Sequence, residues 1–346
     1  METGGIAERF RDKTILITGA TGFLGKLLVE KILRVQPEVR KLYLLVRAPD
    51  AIAAEERVLT EVVGKGLFDV LREQYGAGFN SFIKEKIYAL PGDVMHENFG
   101  LESYEVLQLS QKVDIIVNGA ATTNFMERTI DVIFVAYNDQ TLPCFIFDGS
   151  VIFDLIPGDM VINAMMAAIN SQWNKRAQVI YHVTSAHQNP LPVSLIEESM
   201  FRYFDINPRT SKDGKAIKNK RPLAFKRLAY FQAYMILRYK LPLEMMRAAN
   251  VLLGGIYTKN YYEFNRDYNI LMTVAKLFAP YVFFKGWFDD TNLRKLWKAT
   301  AMDQNDDASI FNFDPKCINW SSYLVNTHIP AAIKYANDQK AKARSA

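Results

Sequence analysis

Short apolar runs alternate with glycine- and proline-bearing breaks along the first third of the chain. TILIT (14–18) is β-branched, apolar and strand-length, and it ends at Gly19. KLLVEKILRV follows with apolar residues at helical spacing. KLYLLVRA (41–48), KIYALPGDV (86–94) and VDIIVNGAATTNF (113–125) read as three further strands. Strands that are apolar at nearly every position fit a parallel sheet covered on both faces. Helix-compatible stretches separate them. The pattern predicts β-α-β-α-β-α-β, the first half of an α/β, Rossmann-like, doubly wound parallel sheet.

Beyond residue 128 the pattern changes. IDVIFVAYN (130–138) is compatible with one more strand, although its short connection to the fourth strand disfavours a parallel crossover. FDGSVIFDLIPGDM (147–160) is turn-rich. Asp159 is placed to cap a helix, MVINAMMAAI (160–169), and QVIYHVTSA (178–186) reads as a strand. A basic, Gly- and Pro-containing stretch, 209–227, is either a solvated linker or a contact for CoA phosphates or an anionic lipid surface. Residues 228–336 read mostly as helix, dense in aromatics from Tyr257 to Phe288. Those rings form an aromatic core, a lid over a long apolar substrate, or both. The tail AKARSA reads as disordered.

Composition narrows the class. The chain has 346 residues, 49% of them hydrophobic and 23% charged, as in ordinary globular proteins. A net charge of +5 suits anionic partners, but it is too small to argue for nucleic acid, and no nucleic-acid-binding signature is present. Two distant cysteines, Cys144 and Cys317, make no disulfide framework and point to a reducing compartment. The N-terminus lacks the apolar core of a signal peptide, and no run of apolar residues is long enough to span a bilayer.

The first break, TILITGATGFLG (14–25), carries the chemistry. Its glycines, Gly19, Gly22 and Gly25, stand where a strand turns into a helix. Glycine permits the turn, lets phosphate approach the backbone, and lets helix and strand pack closely. The helix N-terminus adds free N–H groups and partial positive charge. Arg47 ends the second strand, where NAD enzymes usually carry an acidic residue for the ribose hydroxyls. An Arg there accommodates the 2′-phosphate of NADP, unless it is simply exposed. Asp93 is placed for the adenine edge or is an ordinary turn residue. Asn118-Gly119-Ala120-Ala121 keeps the fourth strand end small beneath a cofactor. The candidate cofactor-binding residues are Thr18, Gly19, Thr21, Gly22, Phe23, Leu24, Gly25, Arg47, Asp93, Val94, Asn118, Ala120 and Ala121.

Thr18 through Gly25, with Gly92-Asp93 and Asn118 through Ala121, resembles an extended short-chain dehydrogenase/reductase. KLYLLVRA, AATTNF with Glu127-Arg128, IPGDMVINAMMAA and YNILMTVAKLFAPYVFFKGWFDD (268–290) are similar to the plant alcohol-forming fatty acyl-CoA reductases, the last to their C-terminal male-sterility domain. The resemblance covers nearly all of residues 10–336. It implies two hydride transfers from NADPH to a long-chain acyl-CoA, giving a primary alcohol for wax and surface lipids. It also implies a place on the cytoplasmic face of the endoplasmic reticulum, against its membrane surface, or in the cytoplasm. The domain layout expected is 10–205 Rossmann-like, 206–227 basic linker, 228–336 helical C-terminal domain and 337–346 tail.

One part of that pattern is missing. Family members continue after Glu127-Arg128 into a fifth strand with a catalytic Ser or Thr and a helix bearing Tyr-x-x-x-Lys. Here TIDVIFVAYN follows at once, a deletion near 128/129 on the order of a hundred residues. The Lys lowers the Tyr pKa and the Tyr protonates the oxyanion, and losing such an acid costs roughly 10²–10⁴-fold. Tyr281 and Lys285 match the spacing but follow Pro280 in the C-terminal domain, and read as a decoy. Tyr181 with Ser185, and the isolated His182 and His187, build no catalytic or metal set. No catalytic residue is assigned. The chain is therefore expected to be a reductase by descent with little or no activity. The alternative is a non-catalytic NADP(H)-binding or regulatory module that pairs with a full-length reductase.

Overall fold

β1 (Thr14–Thr18) runs through the middle of the first sheet with all five residues buried. The computed structural model describes residues 5–121, 129–139, 144–209, 215, 221–252, 254–302 and 307–345. After β1 come α1 (Phe23–Val35), β2 (Lys41–Val46), α2 (Ala51–Arg57), α3 (Asp69–Tyr75), α4 (Phe79–Lys86), β3 (Ile87–Pro91), α5 (Ser103–Lys112) and β4 (Ile115–Asn118). The four strands are parallel in the order β3-β2-β1-β4. The predicted β-α alternation and parallel sheet are thus observed, with β4 at an edge.

The chain divides by contact into two units whose segments interleave along the sequence. The first unit comprises Met1–Asn124, Ile156–Val183 and Asp289–Asp314, and the second comprises Phe125–Leu155, Thr184–Phe288 and Pro315–Ala346. The later elements are α6 (Thr129–Asn138), β5 (Cys144–Ile146), β6 (Ile152–Phe153), α7 (Gly158–Ser171), β7 (Leu191–Pro192), α8 (Val193–Ile206) and β8 (Leu223–Phe225). Then follow α9 (Leu228–Met235), α10 (Leu241–Leu252), α11 (Thr258–Val282), α12 (Thr291–Ala301), α13 (Asp307–Ile310), α14 (Trp320–Tyr323) and α15 (Ile329–Ser345).

In the first unit, α1 buries Leu28, Val29, Ile32 and Leu33. α7 packs against α1 through Gly158, where a Cβ would lie 2.7 Å from the Phe23 ring. α12 packs on α7 in turn. In the second unit, α6, α8, α14 and α15 enclose Phe134, Tyr137, Phe201, Trp320 and Leu324. A second cluster joins Cys144 and Ile146 of β5 to Phe231 and Met235 of α9 and Ala275 of α11.

Five readings of local structure are corrected. Residues 130–138 form α6, not a strand. Asp131, Phe134 and Tyr137 fall on one buried helical face, and packing overrides the β-branched composition. Residues 178–185 form no strand, and among the described residues no ladder lies beside them. Their groups are held by single contacts instead, such as Asn292 Nδ2 donating to Ile180 O (2.9 Å). Asp159 does not cap α7: Pro157 is the N-cap, and Asp159 sits in the first turn, where the helix dipole favours a carboxylate. The basic stretch contributes β8, paired in parallel with β5, while residues 210–214 and 216–220 lie outside the described residues. The tail is helical as far as Ser345 in α15.

Candidate functional site

The carboxyl ends of the four parallel strands meet at one edge. Thr18 pairs with Leu45 on one side and Asn118 on the other, and Val46 pairs with Pro91. The strand order reverses direction at β1, the topological switch point where such sheets form a crevice.

The turn after β1 is built for close approach. Gly19 has φ +70°, and a Cβ there would lie 2.5 Å from Gly119 O and 2.7 Å from Ala120 N. The Gly22 N–H donates to Gly19 O (2.9 Å) and closes the turn. Gly22 is the N-cap of α1 and supplies no side-chain cap, so the positive end of the helix is open at an exposed glycine. Gly25 is buried, and a Cβ on it would overlap Gly19 O and lie 2.7 Å from Ala20 Cα. Thr21 is half-buried, while Phe23 (63% exposed) and Leu24 project into solvent at the same helix start.

The remaining candidates line the other strand ends. Arg47 is exposed directly after β2. Its carbonyl accepts from Arg57 Nη1, and among the described residues its guanidinium has no carboxylate partner. Asp93 organises its own turn: its N–H donates to Phe99 O (2.8 Å) and its Oδ1 accepts from Met95 N (3.0 Å). Val94 beside it is exposed. Thr18 is buried and its hydroxyl donates to Asn118 Oδ1 (2.5 Å) while accepting from Ala120 N (3.2 Å). Thr18 and Asn118 therefore tie β1 to the chain leaving β4. Ala120 is half-buried and Ala121 exposed; Thr122 through Arg128, including Glu127, lie outside the described residues.

No described helix carries Tyr and Lys on one face behind β4. Tyr281 lies in the last turn of α11, which ends at Val282, whereas Lys285 lies beyond it and pairs with Asp148 Oδ2 at 3.3 Å. The two side chains share no helix face. Tyr181 OH accepts from Gln172 Nε2 (2.7 Å), Ser185 Oγ donates to Leu155 O (2.7 Å), and His187 packs edge-on to Trp287. Each has a local structural partner.

Two cavities escaped the sequence reading. The larger, about 800 Å³, lies in the second unit between β5, α9, α10 and α11. Cys144, Phe231, Met235, Leu271 and Phe278 line it, with Arg238 as its cation. Burial pushes the Cys144 thiol up to about 11. The aromatic density of 257–288 signalled one wall, but Cys144 and Phe231 carried no signal because they come from distant segments. The smaller, about 330 Å³, lies in the first unit among Lys31, Asn163, Ser309 and Asn312. Lys31 donates to Ile310 O (2.7 Å), and burial lowers its pKa to about 8.

Residues 17–133 match the NAD-binding part of the family described as male sterility protein, and residues 238–339 match its Sterile part. The chain is 30% identical to fatty acyl-CoA reductase 1 of Arabidopsis thaliana over 481 aligned positions, covering 95% of this chain and 98% of that protein. It is 28% identical to the alcohol-forming fatty acyl-CoA reductase of Simmondsia chinensis, covering 96% and 99%. The Arabidopsis alignment is longer than this 346-residue chain by well over a hundred positions, which have no counterpart here. Among solved structures, the terminal R domain of the myxalamid PKS-NRPS pathway is 15% identical with a TM-score of 0.48, covering 90% of each chain.

Proposed function

The chain belongs to the fatty acyl-CoA reductase family, and on that premise we propose that it holds NADPH at the glycine turn but turns over acyl-CoA poorly or not at all. The observation that carries the proposal is the cradle itself. Side chains are excluded at Gly19 and Gly25, the α1 N-terminus is uncapped, and the strand ends are aligned at the switch point. These residues fit a dinucleotide pyrophosphate. Thr21, Gly22, Phe23 and Leu24 lie along the phosphate approach, and Arg47, whose guanidinium has no carboxylate partner among the described residues, is the group for the 2′-phosphate. The free oxygen of Asp93, with Val94, lies on the adenine side. Ala120 and Ala121 leave room beneath the nicotinamide half, and Thr18 with Asn118 hold that floor in place.

NADPH, when bound, would supply one hydride to the thioester, which would release CoA thiol and leave the aldehyde, and a second NADPH would supply the hydride that, with a proton, gives the primary alcohol. No Tyr and Lys pair placed to protonate the resulting oxyanion stands on one helix face behind β4 among the described residues. The acyl group of a long-chain acyl-CoA suits the apolar cavity of about 800 Å³, a volume within the usual range for ligand sites.

Calorimetric titration with NADPH tests the binding half: wild type should bind, and Gly22→Asp should lose at least about tenfold in affinity through charge repulsion with phosphate. Equal binding by both would overturn the site. NADPH oxidation with palmitoyl-CoA tests the other half, and turnover at family-like rates would overturn the assignment of poor activity. A second reading, a regulatory module that pairs with a full-length reductase on the membrane or in the cytoplasm, is favoured by the open edge of β4, where Ile116 is 67% exposed. A change in a full-length enzyme's turnover on adding this chain would support it.

A further inference from the structure

α1 and α7 pack on each other in the first unit, and the cavity of about 330 Å³ lies along their contact, with residues 309, 310 and 312 as its third wall. Four charged side chains line it: Glu30, Lys31 and Arg34 from α1, and Asp159 from α7. Two of them satisfy each other. Arg34 Nε donates to Glu30 Oε1 (2.6 Å), and Arg34 Nη2 donates to Glu30 Oε2 (3.4 Å).

The two that remain are opposite in sign and stand on different helices. Lys31 donates to Ile310 O (2.7 Å) and lies 5.0 Å from the Phe311 ring centre. Among the described residues no carboxylate lies within ion-pair distance of it, and an ammonium has a donor beyond these contacts. Asp159 is exposed in the first turn of α7, and no described cation pairs with it at that distance.

Asn163 stands at i+4 from Asp159, on the same face of α7. It is 5% exposed. Its Nδ2 donates to Asn312 O (2.7 Å), which fixes the sense of the amide. Asn163 Oδ1 is then buried with no hydrogen-bond partner. A buried acceptor in that state needs a donor from outside the chain, from water or from a ligand. Toward one cavity, α7 therefore presents acceptors and α1 a cation.

We propose that this cavity binds a small zwitterion, its ammonium held by Asp159 and Asn163 Oδ1 on α7 and its carboxylate by Lys31 on α1. A simple anion would meet the Asp159 charge and leave Asn163 Oδ1 unserved. A simple amine would meet the Lys31 charge. The volume lies near the small end of ligand sites and suits a short amino acid. The proposal rests on neither nucleotide binding nor turnover.

Calorimetric titration of the full chain with glycine, β-alanine and γ-aminobutyrate tests it, with acetate and ethylamine as single-charge controls. At least one zwitterion binds saturably at millimolar concentration, and each control binds at least about tenfold more weakly. Asp159→Asn and Lys31→Gln each lose at least about tenfold in affinity for that zwitterion, and thermal unfolding checks that both variants are folded. Binding also moves a proton. Burial lowers the pKa of Lys31 to about 8, with Arg34 lowering it further and Glu30 and Asp159 raising it. A ligand carboxylate raises it again, so binding at about pH 9 takes up a proton, read from the heats in buffers of different ionisation enthalpy. Lys31→Gln shows no such uptake. Absence of saturable binding by every zwitterion, leaving a water-filled cavity only, would overturn the proposal. So would acetate or ethylamine binding as tightly as the zwitterion, or variants that bind like wild type.

Discussion

β1 and β4 are neighbours in one parallel sheet and have similar sequences, yet their surroundings differ. β1 buries all five of its residues, whereas β4 buries Ile115 and Val117 and exposes Ile116 and Asn118. IIVN reads as an interior strand, but among the described residues no strand lies on its outer side. The glycine turn after β1 is complete because its parts lie within eight successive residues and one neighbouring strand end. A parallel partner for the outer side of β4 would have to come from a segment far along the chain, so no local signal builds it.

The largest expected effect comes from substituting the same residue type on the two strands. Ile17→Ala, at a fully buried position, should cost about 2–5 kcal/mol in denaturant unfolding. Ile116→Ala should stay within about 0.5 kcal/mol. Equal costs would mean that the outer face of β4 is covered in solution. Next in size is Arg47→Asp at the end of β2. Losing a charge-assisted contact should weaken NADPH about tenfold or more while leaving NADH nearly unchanged, as calorimetry would read. A parallel loss for both cofactors would remove Arg47 from the 2′-phosphate site.

The last comparison concerns the helix that follows β1. Folded Lys31 gives up its proton near pH 8, whereas the ordinary value is 10.5. Between those values the unfolded chain holds more protons, so stability rises with pH across that window. Below about pH 8 both states are charged and the gain is absent. Urea melts across this range should show the rise in wild type and not in Lys31→Met. A flat wild-type profile would mean that Lys31 is solvated, and that burial around β1 stops short of the far half of α1.

Much of the first unit was legible because its signals are local. The four strands announce themselves as apolar runs, and the turn through Gly19, Gly22 and Gly25 as a break between strand and helix. The misreadings share one cause. IDVIFVAYN has the composition of a strand, but α6 is decided by α15 packing on the face of Phe134 and Tyr137, nearly two hundred residues away. QVIYHVTSA has the pattern of a strand, but a strand also needs a ladder partner. Tyr281 and Lys285, by contrast, read as a decoy despite their catalytic spacing, and α11 ends between them.

The sequence alone determined the glycine turn, the parallel half-sheet and the family, because each is written in contiguous residues with fixed spacing. Tertiary structure alone decided the interleaving of the two units, the fate of α6, the tie from Thr18 to Asn118 and the cavity behind Cys144. These depend on which distant side chains bury one another, and burial is a property of the packed chain rather than of any segment of it.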